Sequence, residues 1–227
     1  MAFEALPERL AQLRAEIARL APQPVAIVAV TKDFGVEAVR AARAAGIADI
    51  GENRVQEALQ KQDALGDLTG TRWHLIGHLQ RNKARAAAGR FALIHSLDSL
   101  DLARELDRRS AGPQRVLLQV NVAGESQKSG CTPAEAPALV RAVAALGNLQ
   151  LEGLMTLAPF TDDVDVQRRT FRELRILRDK IKEEEGTWLG TLSMGMSGDY
   201  ASAVAEGATV IRLGTVLFGP RPTKENA

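Results

Sequence analysis

The feature that most constrains the fold of this chain is a rhythm of short runs rich in Val, Ile and Leu, which alternate with longer amphipathic stretches. Such alternation is typical of repeated βα units, in which helices connect parallel strands. Eight runs predict strands near residues 25–30, 47–51, 72–76, 91–95, 115–121, 149–155, 190–194 and 209–213. Eight units favour an α/β fold of the closed (β/α)8 TIM-type barrel class.

Several runs are apolar almost without interruption, as at 116–120, which suits strands that are buried on both faces. The main alternative is a doubly wound open sheet. That fold usually carries a glycine-rich phosphate turn after its first strand, whereas this chain reads Thr31-Lys32-Asp33-Phe34 there. We therefore predict the barrel.

The rhythm runs through the chain without a Pro/Ser-rich linker, so we expect one domain over 1–227. It would begin with a helix at about 3–21, since apolar residues there follow helical spacing. Because the chain stops soon after the eighth strand, at Pro220 and Arg221, we expect the last outer helix to be short or absent. The N-terminal helix would then cover the gap.

Composition and charge exclude several classes of protein. The formal net charge is +1 and the few aromatic residues are not interleaved with basic ones, which argues against a nucleic-acid partner. The first segment lacks the continuous apolar core of a signal peptide, so we expect a cytoplasmic protein with no membrane partner. Cys131 is the only cysteine, which excludes an internal disulfide and a multi-cysteine metal site.

Two turns of small residues, at 193–198 and 212–215, follow the seventh and eighth predicted strands. In such barrels the active end lies at the carboxyl ends of the strands, and phosphate commonly binds in these two loops. Unpaired N–H groups suit a phosphate, and glycine lets its oxygens approach closely. The predicted phosphate-binding residues are Ser197, Gly198, Gly214 and Thr215. The alternative is that they only cap helices.

Lys32 lies just after the first predicted strand. A buried amine loses its proton more easily, and the neutral amine can add to an aldehyde and form an imine. The alternatives are a lysine that extends to the rim or pairs with Asp33. A phosphate held across the barrel mouth would direct a phosphorylated aldehyde to this amine. Pyridoxal 5'-phosphate (PLP) meets both demands.

Four further polar residues lie at or near the predicted mouth. Arg212 could reach the pyridine nitrogen of PLP and discourage its protonation, or it could bridge loops by salt bridges. Asn53 could bind the ring hydroxyl, position Lys32 or cap a helix. His74 and His78 lack the glutamate of an H-E-x-x-H metal motif, and a structural histidine is the other interpretation of each.

With these residues the sequence resembles the pyridoxal phosphate homeostasis protein family, single-domain relatives of the barrel half of bacterial alanine racemase. The resemblance covers nearly the whole chain. The blocks that carry it are AVTK at 29–32, GENRVQE at 51–57, WHLIGHLQ at 73–80, QVN at 119–121, GLMT at 153–156, SMGMSGD at 193–199, RLGT at 212–215 and FG at 218–219.

The resemblance implies that Lys32 holds PLP as a Schiff base, with Arg212 beside the pyridine nitrogen. It also implies that the two turns hold the phosphate, and that Asn53, His74 and Met194 lie against the cofactor. Thr31 and the segment 33–35 depart from the family pattern, which affects the expected shape of the loop. His78 is assigned no role.

The family binds and buffers PLP and delivers it to acceptor enzymes, with no established turnover, so we expect a monomeric, noncatalytic protein of PLP homeostasis. One alternative is a PLP-dependent amino-acid racemase. Racemisation needs a base on each face, and alanine racemase takes its second base, a tyrosine, from a second subunit. We expect no second domain after this barrel, and the only tyrosine, Tyr200, lies on the phosphate-side helix. A third hypothesis is a Schiff-base aldolase that acts on a sugar phosphate.

Overall fold

The computed structural model describes residues 3–21, 23–66 and 68–220. Within them, eight parallel strands pair in chain order, and the last strand pairs back to the first to close a barrel. The strands are β1 (Ala26–Val30), β2 (Asp49–Glu52), β3 (Arg72–Leu75), β4 (Leu93–Leu97), β5 (Gln114–Gln119), β6 (Leu149–Met155), β7 (Thr191–Ser193) and β8 (Val210–Leu213). The predicted barrel is confirmed. The predicted domain limits at residues 1 and 227, and Arg221, lie outside the described residues.

Helices connect the strands. Within the described residues they are α1 (Leu6–Leu20), α2 (Val36–Ala44), α3 (Val55–Leu65), α4 (Ala84–Ala87), α5 (Leu100–Arg109), α6 (Ala136–Ala144), α7 (Val164–Glu185), α8 (Tyr200–Ala205) and α9 (Thr215–Phe218). A short 3-10 turn, Arg81–Lys83, precedes α4.

The N-terminal helix α1 packs against α8 and α9. A proline in its first turn suits the start of a helix, because the N–H that proline lacks would have no partner there. Its buried residues repeat every three or four positions and form one apolar stripe: Leu6, Leu10, Leu13 and Ile17. Since α9 has only four residues, α1 supplies much of the cover beside β8.

The longest helix, α7, has 22 residues and defined ends. The Asp163 carboxylate accepts hydrogen bonds from the N–H groups of Asp165 and Val166, and Gly186 ends the helix in the left-handed conformation. Among the residues that the structure describes, no helix has the length and apolar character to cross a membrane.

The apolar core is divided by the barrel wall. Two large clusters lie where strands pack against helices, and a separate small cluster contains Leu93, Leu117 and Met155. Because side chains alternate between the two faces of a strand, residues of this small cluster point into the barrel. Polar residues share this interior, and His95 and Ser193 in it are fully buried. The interior therefore places polar groups beneath the carboxyl ends of the strands.

Candidate functional site

A cavity of about 640 Å³ opens at the carboxyl ends of the strands. Its volume lies in the range of small-molecule sites, roughly 300–1,000 Å³. Seven of the nine predicted site residues line it: Lys32, Asn53, Ser197, Gly198, Arg212, Gly214 and Thr215. The structure thus brings together residues from the loops after β1, β2, β7 and β8.

Lys32 contributes an amine to this cavity. Its side chain is half-buried and not fully enclosed, which differs from the buried amine that we expected. Within the described ranges, its ammonium group makes no hydrogen bond or ion pair. The alternative of a lysine tied to a neighbouring carboxylate is therefore not what the structure shows, and the amine remains available to a ligand.

The loop after Lys32 has an unusual backbone shape. Asp33 has a φ of 67°, in the left-handed region that few non-glycine residues occupy. The ring of Phe34 lies 5.8 Å from that of Phe3 and 5.4 Å from that of Phe218, measured between centroids. This aromatic contact ties the lysine loop to the N-terminal segment and to α9.

A buried polar cluster behind the barrel wall holds the backbone on both sides of Lys32. Lys61 on α3 donates to the Thr31 carbonyl at 2.8 Å, to Glu52 at 2.7 Å and to Glu57 at 2.9 Å. The Thr31 hydroxyl also donates to Glu52, at 2.5 Å. Glu57 in turn accepts from the backbone N–H of residue 33 at 3.1 Å. We call these four side chains, of Thr31, Glu52, Glu57 and Lys61, the Lys61 cluster.

Sequence reasoning missed the Lys61 cluster. Burial raises the pKa of Glu52, and the ion pair and hydrogen bond from Lys61 only partly offset that rise. The sequence does carry a signal for this cluster. Glu52 and Glu57 lie on either side of Asn53, and Lys61 follows Glu57 by one helical turn.

The two small-residue turns are joined through Ser197. Its hydroxyl oxygen accepts from the N–H groups of Gly214 at 3.2 Å and Val216 at 3.4 Å. The residue that precedes α8 is Asp199, whose carboxylate accepts from the Met196 N–H at 2.5 Å. Ser197 therefore links two loops and does not serve as the cap of α8.

Arg212 forms part of the cavity floor and is only 2% exposed. Its guanidinium donates to the Ser193 hydroxyl at 2.6 Å and to the Thr156 carbonyl at 3.0 Å. Burial lowers its pKa to about 10, so the group is still positively charged at neutral pH. Its partners are a hydroxyl and a carbonyl, and no carboxylate among the described residues forms a salt bridge with it.

His74 lies deeper than the cavity wall. Its Nδ1 is 2.9 Å from His95 Nε2, and its Nε2 is 2.9 Å from the Asp49 carboxylate. His95 Nδ1 is 2.8 Å from the Ser193 hydroxyl, which accepts from Arg212. These side chains form a path from the amino end of β2 to the cavity. We call them the interior network: Asp49, His74, His95, Ser193 and Arg212.

The positions of Met194 and His78 differ from the roles that we expected for them. Met194 is fully buried in a core cluster between strands and helices and, like His74, is not part of the cavity wall that the structure describes. His78, to which we assigned no role, does line the cavity and lies 3.2 Å from the Asp98 carboxylate. The cavity also includes Lys128, which sequence reasoning missed although it follows the QVN block closely.

Asn53 and Gly77 are in close contact at the cavity wall. The residue that precedes α3 is Arg54, so Asn53 does not cap this helix, and its side chain lines the cavity. A Cβ at position 77 would lie 2.1 Å from the Asn53 backbone oxygen and 2.6 Å from its side-chain oxygen. Only glycine fits here without displacing Asn53.

We expect Gly77→Ala to destabilise the protein by about 2–4 kcal/mol, because the overlapping atom belongs to the backbone and cannot rotate away. Urea unfolding followed by circular dichroism measures the effect. Gly112→Ala is the matched control, since a Cβ there would meet no atom of the described residues within 4 Å. Equal stability of the two variants would contradict the expected overlap.

The cavity has no metal-binding character in the part of the chain that the structure describes. No group of three or more His, Cys, Asp or Glu side chains is arranged there to hold an ion. Its chemistry rests on one free amine, a buried guanidinium and the N–H groups of two turns.

Comparison with known sequences relates residues 5–222 to the family described as alanine racemase, N-terminal domain. A pyridoxal phosphate homeostasis protein from Pseudomonas aeruginosa is 45% identical over 95% of this chain and 96% of its own length. A protein of the same name from Synechocystis is 43% identical, over 91% of this chain and 96% of its own.

Solved structures agree with these relationships. PipY of Synechococcus elongatus, solved with PLP bound, superposes with a TM-score of 0.86 at 41% identity and covers 94% of this chain and 100% of its own. An alanine racemase from Clostridium difficile matches with a TM-score of 0.75 at 14% identity, over 97% of this chain and 59% of its own. The latter similarity concerns the fold alone.

Proposed function

The chain belongs to the alanine racemase N-terminal domain family and, within it, to the pyridoxal phosphate homeostasis proteins, and on this premise we propose that it binds PLP and serves intracellular PLP homeostasis. The observation that carries the proposal is the free Lys32 amine in a cavity that two small-residue turns and Arg212 complete. A relative of 41% identity was solved with PLP bound.

The residues of the cavity fit PLP. The cofactor would supply an aldehyde, and Lys32 would be the residue whose amine holds it as a Schiff base, with loss of one water molecule. Ser197, Gly198, Gly214 and Thr215 would hold the phosphate, because all four line the cavity and the Ser197 and Thr215 hydroxyls can donate to its oxygens.

Other residues would orient the ring. Asn53 lines the cavity with a side chain that caps no helix, so its amide can bind the ring hydroxyl. Arg212 would face the pyridine nitrogen. An arginine there disfavours protonation of that nitrogen, which weakens the ring as an electron sink. We assign His74 and Met194 supporting roles close to this site.

Two observations support a carrier that has no turnover. Arg212 forms no ion pair with a described carboxylate, so the ring would have a cation beside it. The hydroxyl of Tyr200, the only tyrosine, donates to Glu16 of α1 at 2.7 Å, and burial raises its pKa to about 12. Tyr200 is not among the residues of the cavity wall, so it is poorly placed to serve as a racemase base.

We therefore propose that this single barrel domain buffers PLP on Lys32 as a monomer in the cytoplasm. Transfer to PLP-dependent apo-enzymes would occur by exchange of the Schiff base with another amine. Release into an apo-enzyme, followed by recovery of that enzyme's activity, tests the delivery step.

Titration of the purified protein with PLP tests the binding site. We expect a visible absorbance band that saturates at one PLP per chain, and retention of PLP after gel filtration. A colourless protein from which PLP is removed completely would contradict the proposal. A coloured protein would also argue against the aldolase hypothesis, which requires no chromophore.

Deuterium exchange separates a carrier from the alternative, an amino-acid racemase. We expect no exchange of the α-hydrogen of L- or D-alanine in heavy water above the rate that free PLP gives. Exchange that depends on Lys32 would instead establish a racemase, with Lys32 as one base. The spectrum of bound PLP, recorded on the same sample, shows that the site is loaded.

A further inference from the structure

The interior network forms a continuous hydrogen-bonded path from Asp49, at the amino end of β2, to Arg212 in the cavity floor. We propose that His74 and His95 are positioning residues that fix the Arg212 guanidinium through Ser193, in the orientation that faces the ring nitrogen of PLP. This inference rests on the proposed function. It gives the histidines a role that requires no contact with the cofactor.

The two ends of the network set the direction of its hydrogen bonds. The Arg212 guanidinium has only donors. At the other end, burial raises the pKa of Asp49, but hydrogen bonds from His74 and Arg72 outweigh burial and hold the pKa well below its usual range. The Asp49 carboxylate is therefore ionised and can only accept. Protons must be donated from the arginine end toward the carboxylate end.

One arrangement of protons satisfies every group between these ends. Arg212 donates to the Ser193 oxygen, and the Ser193 hydroxyl donates to His95 Nδ1. His95 Nε2–H donates to His74 Nδ1, and His74 Nε2–H donates to Asp49. Both imidazoles are then neutral, with the proton on Nε2.

The reverse arrangement is less favourable. If His95 donated from Nδ1 to Ser193, His74 would have to carry both protons, and the Ser193 hydroxyl would have no acceptor among the described residues. A buried hydroxyl without a partner costs about 1–3 kcal/mol. Burial, with the neighbouring charge of Arg212, also lowers the pKa of His95 well below its ordinary value, which keeps this ring neutral.

The consequence for Arg212 is a fixed side chain. Ser193 can accept from the guanidinium in one orientation only while its own hydrogen is directed at His95. His95 lies on β4 and Ser193 on β7, so this contact crosses the barrel interior. The Thr156 carbonyl holds the second guanidinium nitrogen. Without His95, the Ser193 hydroxyl can rotate and this constraint is lost.

The first test needs no cofactor. Long-range nitrogen–proton correlation spectra of the apo-protein report the tautomer of each histidine. We expect both His74 and His95 to be neutral with the proton on Nε2. A proton on His95 Nδ1 would overturn the proposed direction of the network.

The second test compares two ligands in His95→Gln. We expect the dissociation constant of this variant for PLP to rise about tenfold, which is the size of the loss when a residue that orients a ligand-binding group is replaced. Inorganic phosphate, which would occupy only the small-residue turns, should bind within about twofold of wild type. Equal weakening for both ligands would indicate general structural damage and overturn the positioning role.

A double-variant cycle shows whether His95 acts through Arg212. His95→Gln combined with Arg212→Gln should bind PLP no more weakly than Arg212→Gln alone. Fully additive losses would overturn the inference. Leu117→Val, in the apolar part of the barrel interior, is the control for loss of packing and should leave PLP affinity unchanged. Wild-type protein that binds phosphate but no PLP would refute the proposed function, while the tautomers would still decide whether the network exists.

Discussion

We expect Lys32→Ala to lose its visible PLP band and to bind PLP at least 100-fold more weakly than wild type. Lys32 lines the cavity just after the end of β1, and no described residue holds its ammonium group. Removing the Lys32 amine abolishes the Schiff base and leaves only the phosphate and ring contacts. These contacts do not replace the lost covalent link. Absorbance titration and equilibrium dialysis measure the loss.

Borohydride reduction followed by peptide mass mapping shows which amine is linked. In wild type, the reduced adduct should be on the peptide that contains Lys32. Lys128→Ala is the matched control, because it removes the other lysine that lines the cavity, and it should keep the adduct on Lys32. If the wild-type adduct lies on Lys128, the proposed position of the Schiff base is wrong.

The sequence predicts the barrel well because strand burial alone produces the alternation of apolar runs. The ends of the strands are harder to predict from the sequence where polar residues are buried. The fourth strand was expected at 91–95 and is found at Leu93–Leu97. His95 and Ser96 look like the end of a strand, yet both are fully buried. Hydrogen bonds in the interior make that burial possible for His95, and hydropathy patterns carry no information about them.

The position of the cavity was also predictable, because a parallel barrel brings the carboxyl ends of its strands to one rim. The depth of each side chain was not. Like Asn53, His74 lies near the carboxyl end of a strand, and the sequence predicts both at the rim. The ring of His74 is nevertheless held below the rim by His95 and Asp49. Likewise, the Lys61 cluster depends on how α3 is rotated over the sheet, which spacing along the chain does not fix.

We expect Lys61→Met to destabilise the folded protein by about 3–5 kcal/mol at pH 8, because it leaves the Glu52 carboxylate buried without its cation. Glu52 is fully buried, and one of its oxygens has no hydrogen-bond partner among the described residues even with Lys61 present. Urea unfolding measures the change. Lys180→Met makes the same substitution at an exposed pair with Glu184 and should cost less than about 0.5 kcal/mol.

The loss should depend on pH in a defined direction. Burial raises the pKa of Glu52 in the folded state, and Lys61 opposes that rise, so the variant should have a still higher folded pKa. A carboxyl group with a raised folded pKa favours the folded state at pH values below the unfolded pKa. That contribution is lost as the pH rises through the folded pKa. The deficit of Lys61→Met relative to wild type should therefore be smaller at pH 5 than at pH 8.

Glu52→Gln tests the same cause from the other partner. Combined with Lys61→Met, it removes the charge that the single variant leaves uncompensated, so the double variant should be more stable than Lys61→Met at pH 8. It should also lose the extra pH dependence. A pH-independent deficit in Lys61→Met, or a double variant that is less stable than it, would show that lost packing and not the buried carboxylate causes the effect.

Because the Lys61 cluster holds the backbone on both sides of Lys32, the same variants should weaken PLP binding in proportion to their instability.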